Sequence, residues 1–236
     1  MDPLLRVHEA HKNGLIPDKI HSLIVKRFEV ALSGIQRIEK ASGINFPLAY
    51  VEPSIVVSHP SAGSFDYGIL FARTIPVISN DKLNVIIQIT APLVAYGLKG
   101  TIHAILAHEF MHYLELVSRI VKMKVISDEV SSTLFEGAYA DAGRLLEEHA
   151  VFKSDPTLIK HITTRFPEGF RDLKLEEKAI KRWMDRGMPT TKVPIDANVI
   201  KIPIEAMANL QVDQAVKDKI AEFENVKLRK KKNGYV

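Results

Sequence analysis

The sequence predicts an α+β fold: a small mixed β-sheet, then one buried helix, then a mostly helical C-terminal part. Between Phe46 and Thr90, short runs of β-branched and aromatic residues alternate with turn formers, as strands do. From Thr101 to Ser118, apolar residues recur at helical spacing in the run TIHAILAHEFMHYLELVS. Beyond 153, Pro156, Pro167, Pro189, Pro194 and Pro203 separate short helical or irregular pieces. With 236 residues, 46% of them hydrophobic, the chain can bury a substantial core. It divides into a helical N-terminal segment (1–45), a core (46–152) and a C-terminal helical subdomain with a basic tail (153–236).

In chain order, residues 1–16 read as a short helix and a loop ending at Gly14. From Asp18 to Lys40, Ile20, Leu23, Ile24, Phe28, Ala31, Leu32, Ile35 and Ile38 form the inner face of a packing helix. Asp18 after Pro17 would cap it and Ser42-Gly43 would stop it. His8, His11 and His21 are expected to be solvated, with no metal to pair them. The strands are LAYV, SIVVS, YGILFA, TIPVI and NVIIQI, with loops at Pro60–Ser64 and Ser79–Asp81. Downstream, SSTLFEGAYADAGRLLEEHAVF reads as a helix beginning near Ser132 or Thr133. Leu175–Arg186, which carries the lone Trp183, reads as another, and Pro203–Asn225 as a third.

The absence of cysteine excludes disulfides and thiolate metal sites, leaving histidines and carboxylates as possible ligands. The apolar stretch Val85–Leu98 contains Gln88 and Pro92 and falls short of the ~20 residues a membrane span needs. No basic segment followed by an apolar run marks a signal peptide, so a soluble cytoplasmic protein is expected. Net charge is +4, with Lys227, Arg229, Lys230, Lys231 and Lys232 close together near the end.

The chemistry centres on His108-Glu109-Phe110-Met111-His112. Histidines at i and i+4 project from one helix face, so two imidazoles can share a metal ion. The glutamate lies about 100° round the helix from His108. Leu106, Phe110, Tyr113, Leu114 and Val117 fall opposite the histidines, implying a helix with a core side and a site side. His103 lies on the other face from His108 and reads as structural, and His59 reads as a surface residue.

This H-E-x-x-H motif and its uncharged flanks resemble the zincin metallopeptidases. The resemblance implies Zn²⁺ held by His108, His112 and a third carboxylate, with Glu109 as general base towards water. In the gluzincin branch the third ligand is a glutamate on a following helix, which points to Glu136. That branch often carries an aspartate four residues later, whereas here position 140 is Ala and the aspartate is Asp141. If a helix runs from about Thr133 to Val151, Glu136, Ala140, Gly143 and Glu147 share a face, while Asp141 and Glu148 point elsewhere. Thr133-Leu134-Phe135-Glu136 is also a capping box, so Glu136 has a purely structural reading. Asp141, Glu147, Glu148 and His149 remain as alternatives. The resemblance further implies an edge strand that pairs with extended substrate, with NVIIQI the candidate. It also leaves His149 or His161 as possible stabilisers of the transition state. The expected function is therefore a zinc metallopeptidase acting on peptide or protein substrates. The alternative is a zincin-fold binding protein that docks on RNA, a ribosome or an acidic partner through its basic tail.

Overall fold

The computed structural model describes residues 2–59, 68–123, 146–167, 170–194 and 202–232. Among these, nine α-helices and two three-stranded sheets give a mixed α+β architecture. The N-terminal helices are α1 (Leu5–Lys12) and α2 (Asp18–Ser42), the latter ending at Gly43 in the left-handed conformation. Pro17, not Asp18, occupies the cap position of α2, and Asp18 is the acidic residue of its first turn.

Strands β1 (Ala49–Glu52), β4 (Ala72–Ser79) and β5 (Lys82–Thr90) make one sheet in the order β1-β5-β4. β1 runs parallel to β5, and β4 runs antiparallel to it. The β4–β5 hairpin turns through Asn80 and Asp81, with φ of 50° and 59°. Positive φ at both central residues matches the right-handed twist of the strands, and Asn and Asp tolerate that region better than most residues. The second sheet contains β2 (Ile55–His59), β3 (Gly68–Leu70) and β6 (Thr190–Pro194) in the order β3-β2-β6. β3 is antiparallel to β2, and β6 is parallel to it. β6 was not expected in a C-terminal part read as helical or irregular. Its register, Ile55 against Thr190, is a long-range pairing that no local pattern announces.

β5 leads into α3 (Ala91–Tyr96) and then α4 (Lys99–Met123), the helix with the H-E-x-x-H motif. The apolar stretch Val85–Leu98 is thus divided between a strand and a short helix. No helix among the described residues is long and apolar enough to cross a membrane. α4 is buried nearly all round, as a helix with a core side and a site side inside a domain would be. Ile102, Ala104, Leu106, Ala107, Phe110, Leu114, Val117 and Ile120 are all fully buried. A helix buried on nearly every side belongs to the centre of a domain. α2 crosses it closely at Gly34, where an added Cβ would lie 2.9 Å from the His103 ring. His103 is held there by Ser33 Oγ and the Val30 carbonyl, both at 3.2 Å, consistent with a structural histidine.

After α4, the described chain resumes at Leu146 and enters α5 (Glu148–Val151). Glu147 caps α5 in extended conformation, φ −101° and ψ 138°. A single helix running unbroken to Val151 is therefore excluded, and with it the stripe that placed Glu147 in line with Glu136. α6 (Pro156–Arg165) and α7 (Leu173–Arg182) begin at Asp155 and Asp172, whose carboxylates accept from the Leu158 and Leu175 amides. Arg37 of α2 donates two hydrogen bonds to Asp155, at 2.5 and 2.7 Å. That pair holds Asp155 below the usual carboxylate range. Trp183 follows α7, fully buried, and donates its indole N–H to the Pro189 carbonyl at 2.9 Å.

The helix expected over Pro203–Asn225 is instead two helices, α8 (Ile204–Ala208) and α9 (Gln214–Lys232). Between them Leu210 bridges to Leu83: the Leu83 amide donates to Asn209 O at 3.2 Å and the Gln211 amide to Leu83 O at 2.8 Å. Backbone groups bonded to a strand cannot also continue a helix.

Candidate metal centre

The site is built mainly from one helix. On α4, His108 and His112 turn their Nε2 atoms towards each other at 3.0 Å, with the rings nearly perpendicular at 89°. A tetrahedral ion bound at about 2.0–2.1 Å would hold two nitrogens about 3.3 Å apart, so little adjustment is needed. Glu109 completes the group: one donor atom from each of the three residues lies within 4.8 Å of the others. His108 and Glu109 are each 8% exposed, and His112 is half-buried, leaving one side of the cluster open. These residues could hold a metal ion, and among the described residues no other three side chains already bring their donor atoms within 4.8 Å of one another.

Glu109 is held from the sheet. The Thr74 hydroxyl of β4 lies 3.0 Å from Glu109 Oε2 and 2.9 Å from the Glu109 carbonyl oxygen. Burial lifts the Glu109 carboxyl from 4.5 to about 7, against the opposing pull of the Thr74 hydrogen bonds. Buried acid groups rise in this way because the charged form loses its water. A carboxyl near 7 suits a group that must take up and release a proton at neutral pH.

Phe166, at the C-terminal end of α6, lies flat on the His108 ring, 3.8 Å between centroids and 6° between planes. Phe170 continues this aromatic row at 5.4 Å, and Phe71 meets Phe170 at 5.3 Å. The stack fixes the orientation of His108 from the side away from its helix. Neither Thr74 nor Phe166 is marked by a motif of its own in the sequence.

The expected site residues divide clearly. His108, Glu109 and His112 come together. Glu136 and Asp141 lie outside the described residues. Glu147, Glu148 and His149 do not join the cluster, and His149 is exposed. His161, on α6, packs against Gly100 at the start of α4, beside Arg165.

The chain matches no family model, no curated protein and no solved structure. The site must therefore be read from its own residues. One expectation drawn from the zincin resemblance needs correction. β5, the strand containing NVIIQI, is the central strand, paired on both sides, so it has no free edge for a substrate. Among the described residues β4 is an outer strand of this sheet, and its Thr74 hydroxyl touches Glu109. Pro76 within β4 suits an outer position, since proline offers no amide to a neighbour on one side.

Thr74→Val tests whether β4 orients the site. Valine keeps the shape but removes the hydroxyl. Without that donor the Glu109 carboxyl of the metal-free protein is expected to titrate higher than in wild type, as read by carboxyl-labelled NMR across the neutral pH range. An unchanged titration would mean that the Thr74 contact does not hold Glu109.

Proposed function

We propose that this chain is a zinc-dependent peptidase of the zincin type, cutting peptide bonds in peptide or protein substrates. The observation that supports this most is the pairing of two convergent histidine nitrogens with a buried carboxyl tuned to about 7 on the same helix. The donor set suits Zn²⁺, which takes imidazole and carboxylate ligands readily. Bound zinc would supply a Lewis acid and lower the pKa of water. His108 and His112 would hold it, with Phe166 keeping His108 in place. Glu109 takes the proton from the attacking water at its carboxylate and later delivers it to the leaving amine. Thr74 orients that carboxylate throughout. An extended substrate would lie along the outer edge of β4, close to Glu109. The direct test is metal analysis together with hydrolysis of a peptide library, with and without chelator. Zinc-loaded protein that cuts no peptide would overturn the proposal.

Glu136 is proposed as the third protein ligand. Glu136→Gln is expected to weaken zinc binding severely and abolish hydrolysis. A residue that only caps a helix would lose about 1 kcal/mol of stability and keep its zinc, so equilibrium dialysis against a zinc buffer separates the two. Wild-type affinity in the variant would move the assignment to Asp141.

A second reading concerns the end of α9. Val216, Ile220 and Phe223 are buried, and Glu224 accepts from Ser118 at 2.6 Å and Lys122 at 2.7 Å, both on α4. The basic run follows these anchors and stays helical to Lys232. It would bind a polyanion such as RNA through charge. Deleting residues 227–236 is expected to leave thermal stability nearly unchanged while lowering RNA affinity, and wild-type binding should weaken steeply with salt. Binding insensitive to both would dismiss this reading.

A further inference from the structure

Far along the chain from the motif, the corner between α1 and α2 gathers three more imidazoles. α1 ends in a Schellman turn: the Leu15 amide donates to Ala10 O and the Gly14 amide to His11 O, both at 2.9 Å. Gly14 sits at φ 73°, a conformation glycine adopts without strain. The turn carries the chain back so that the first turn of α2 faces α1. There His8 Nδ1 and His21 Nε2 lie 2.8 Å apart, and the His11 ring stacks on His21 at 4.0 Å and 11°. Carboxylates stand on the outer nitrogens. His11 Nε2 meets Asp18 Oδ1 at 2.7 Å, and His8 Nε2 lies 3.6 Å from Asp2 Oδ2.

We propose that His8 and His21, with His11 as a further donor, form a second metal site for a late first-row divalent ion such as Cu²⁺ or Ni²⁺. Two nitrogens bound about 2.0 Å from one ion at right angles stand about 2.8 Å apart, the spacing of adjacent ligands in tetragonal geometry. His8 and His21 already have that spacing. As folded, His11 lies on His21 and joins by rotating off the stack, with Asp18 receiving its outer N–H. Such a carboxylate partner fixes the tautomer of a ligating histidine and makes the metal-facing nitrogen a better donor. The imidazoles are half-buried, so an ion can reach them from solvent. Imidazole donors favour Cu²⁺, then Ni²⁺ and Zn²⁺, over the oxygen-seeking Mg²⁺ and Ca²⁺. Bound metal would pin α1 to α2.

The test uses the full chain, stripped of metal and titrated separately with Cu²⁺ and Ni²⁺. Wild type is expected to bind one equivalent more than the His8→Ala/His21→Ala double variant, whatever happens at His108 and His112. Asp18→Asn should weaken that equivalent about tenfold. The double variant keeping the wild-type stoichiometry and Kd would overturn the proposal. Should the double variant not fold, wild-type protein labelled with ¹⁵N at histidine gives the same decision. Substoichiometric Cu²⁺ should broaden the ring signals of His8 and His21, and broadening confined to His108 and His112 would overturn the site.

Discussion

Glu109→Gln is expected to cut peptide hydrolysis by about 10²–10⁴-fold while zinc content stays at the wild-type level, because an amide cannot accept a proton from water. Full hydrolysis by the variant, in a preparation free of other proteases, would remove Glu109 as the base. The same substitution should act in the opposite direction on the metal-free fold. The Glu109 carboxyl titrates at about 7 in the folded chain against 4.5 ordinarily. Between those values the folded state holds a proton that the unfolded state has released, so stability falls as pH rises through this window. The full swing is about 3 kcal/mol. Glutamine carries no such proton, so the metal-free variant should lose this slope and be the more stable protein above pH 7. Chemical denaturation of metal-free wild type and variant at pH 5 and 8 measures it. Bound cation would pull the carboxyl back down, since an adjacent positive charge favours the ionised form. Stability and activity therefore respond to the same side chain with opposite sign.

His112→Ala is expected to lose metal and hydrolysis together. The fall in zinc affinity should exceed the roughly 10–100-fold typical of losing an outer partner, because a direct ligand is gone. His112 is only half-buried, so the fold should survive the change. Zinc competition against a chromophoric chelator, alongside far-UV circular dichroism, separates loss of the ligand from loss of the fold. Stoichiometric zinc at wild-type affinity in a folded His112→Ala protein would remove His112 from the site.

Local pattern made much of this molecule legible. The periodicity of Ile24, Phe28, Ala31 and Ile38 marked α2, and alternating β-branched runs marked the first five strands close to their observed bounds. The i, i+4 spacing of His108 and His112 was enough to anticipate their convergence. The misses share a physical cause, which is that long-range backbone pairing leaves no local trace. Thr190–Pro194 becomes a strand only because β2 accepts it as a partner. Apolar residues recur at helical spacing across Pro203–Asn225, yet the helix breaks where Leu210 pairs with Leu83. Strand order misled in the same way. β5 precedes the motif helix in sequence, but β4 reaches the site, because hairpin folding places the earlier strand on the outside. Thr74 and Phe166 carried no signal of their own, since each acquires its role only by touching α4.

The parallel pairing of β2 with β6 also bears on how the chain acquires its shape. Ile55 and Thr190 are separated by more than half the polypeptide, so joining them closes a very large loop. The entropy lost in that closure must be met before the new hydrogen bonds repay any of it, and chains rich in such distant pairings fold slowly. β2 and β3 can pair with each other well before β6 emerges during synthesis. Until it does, one side of β2 is an uncovered strand edge, the kind of surface that recruits other chains in partly folded proteins. Assembly of the second sheet is thus expected to be the late, aggregation-exposed step in the biogenesis of this protein.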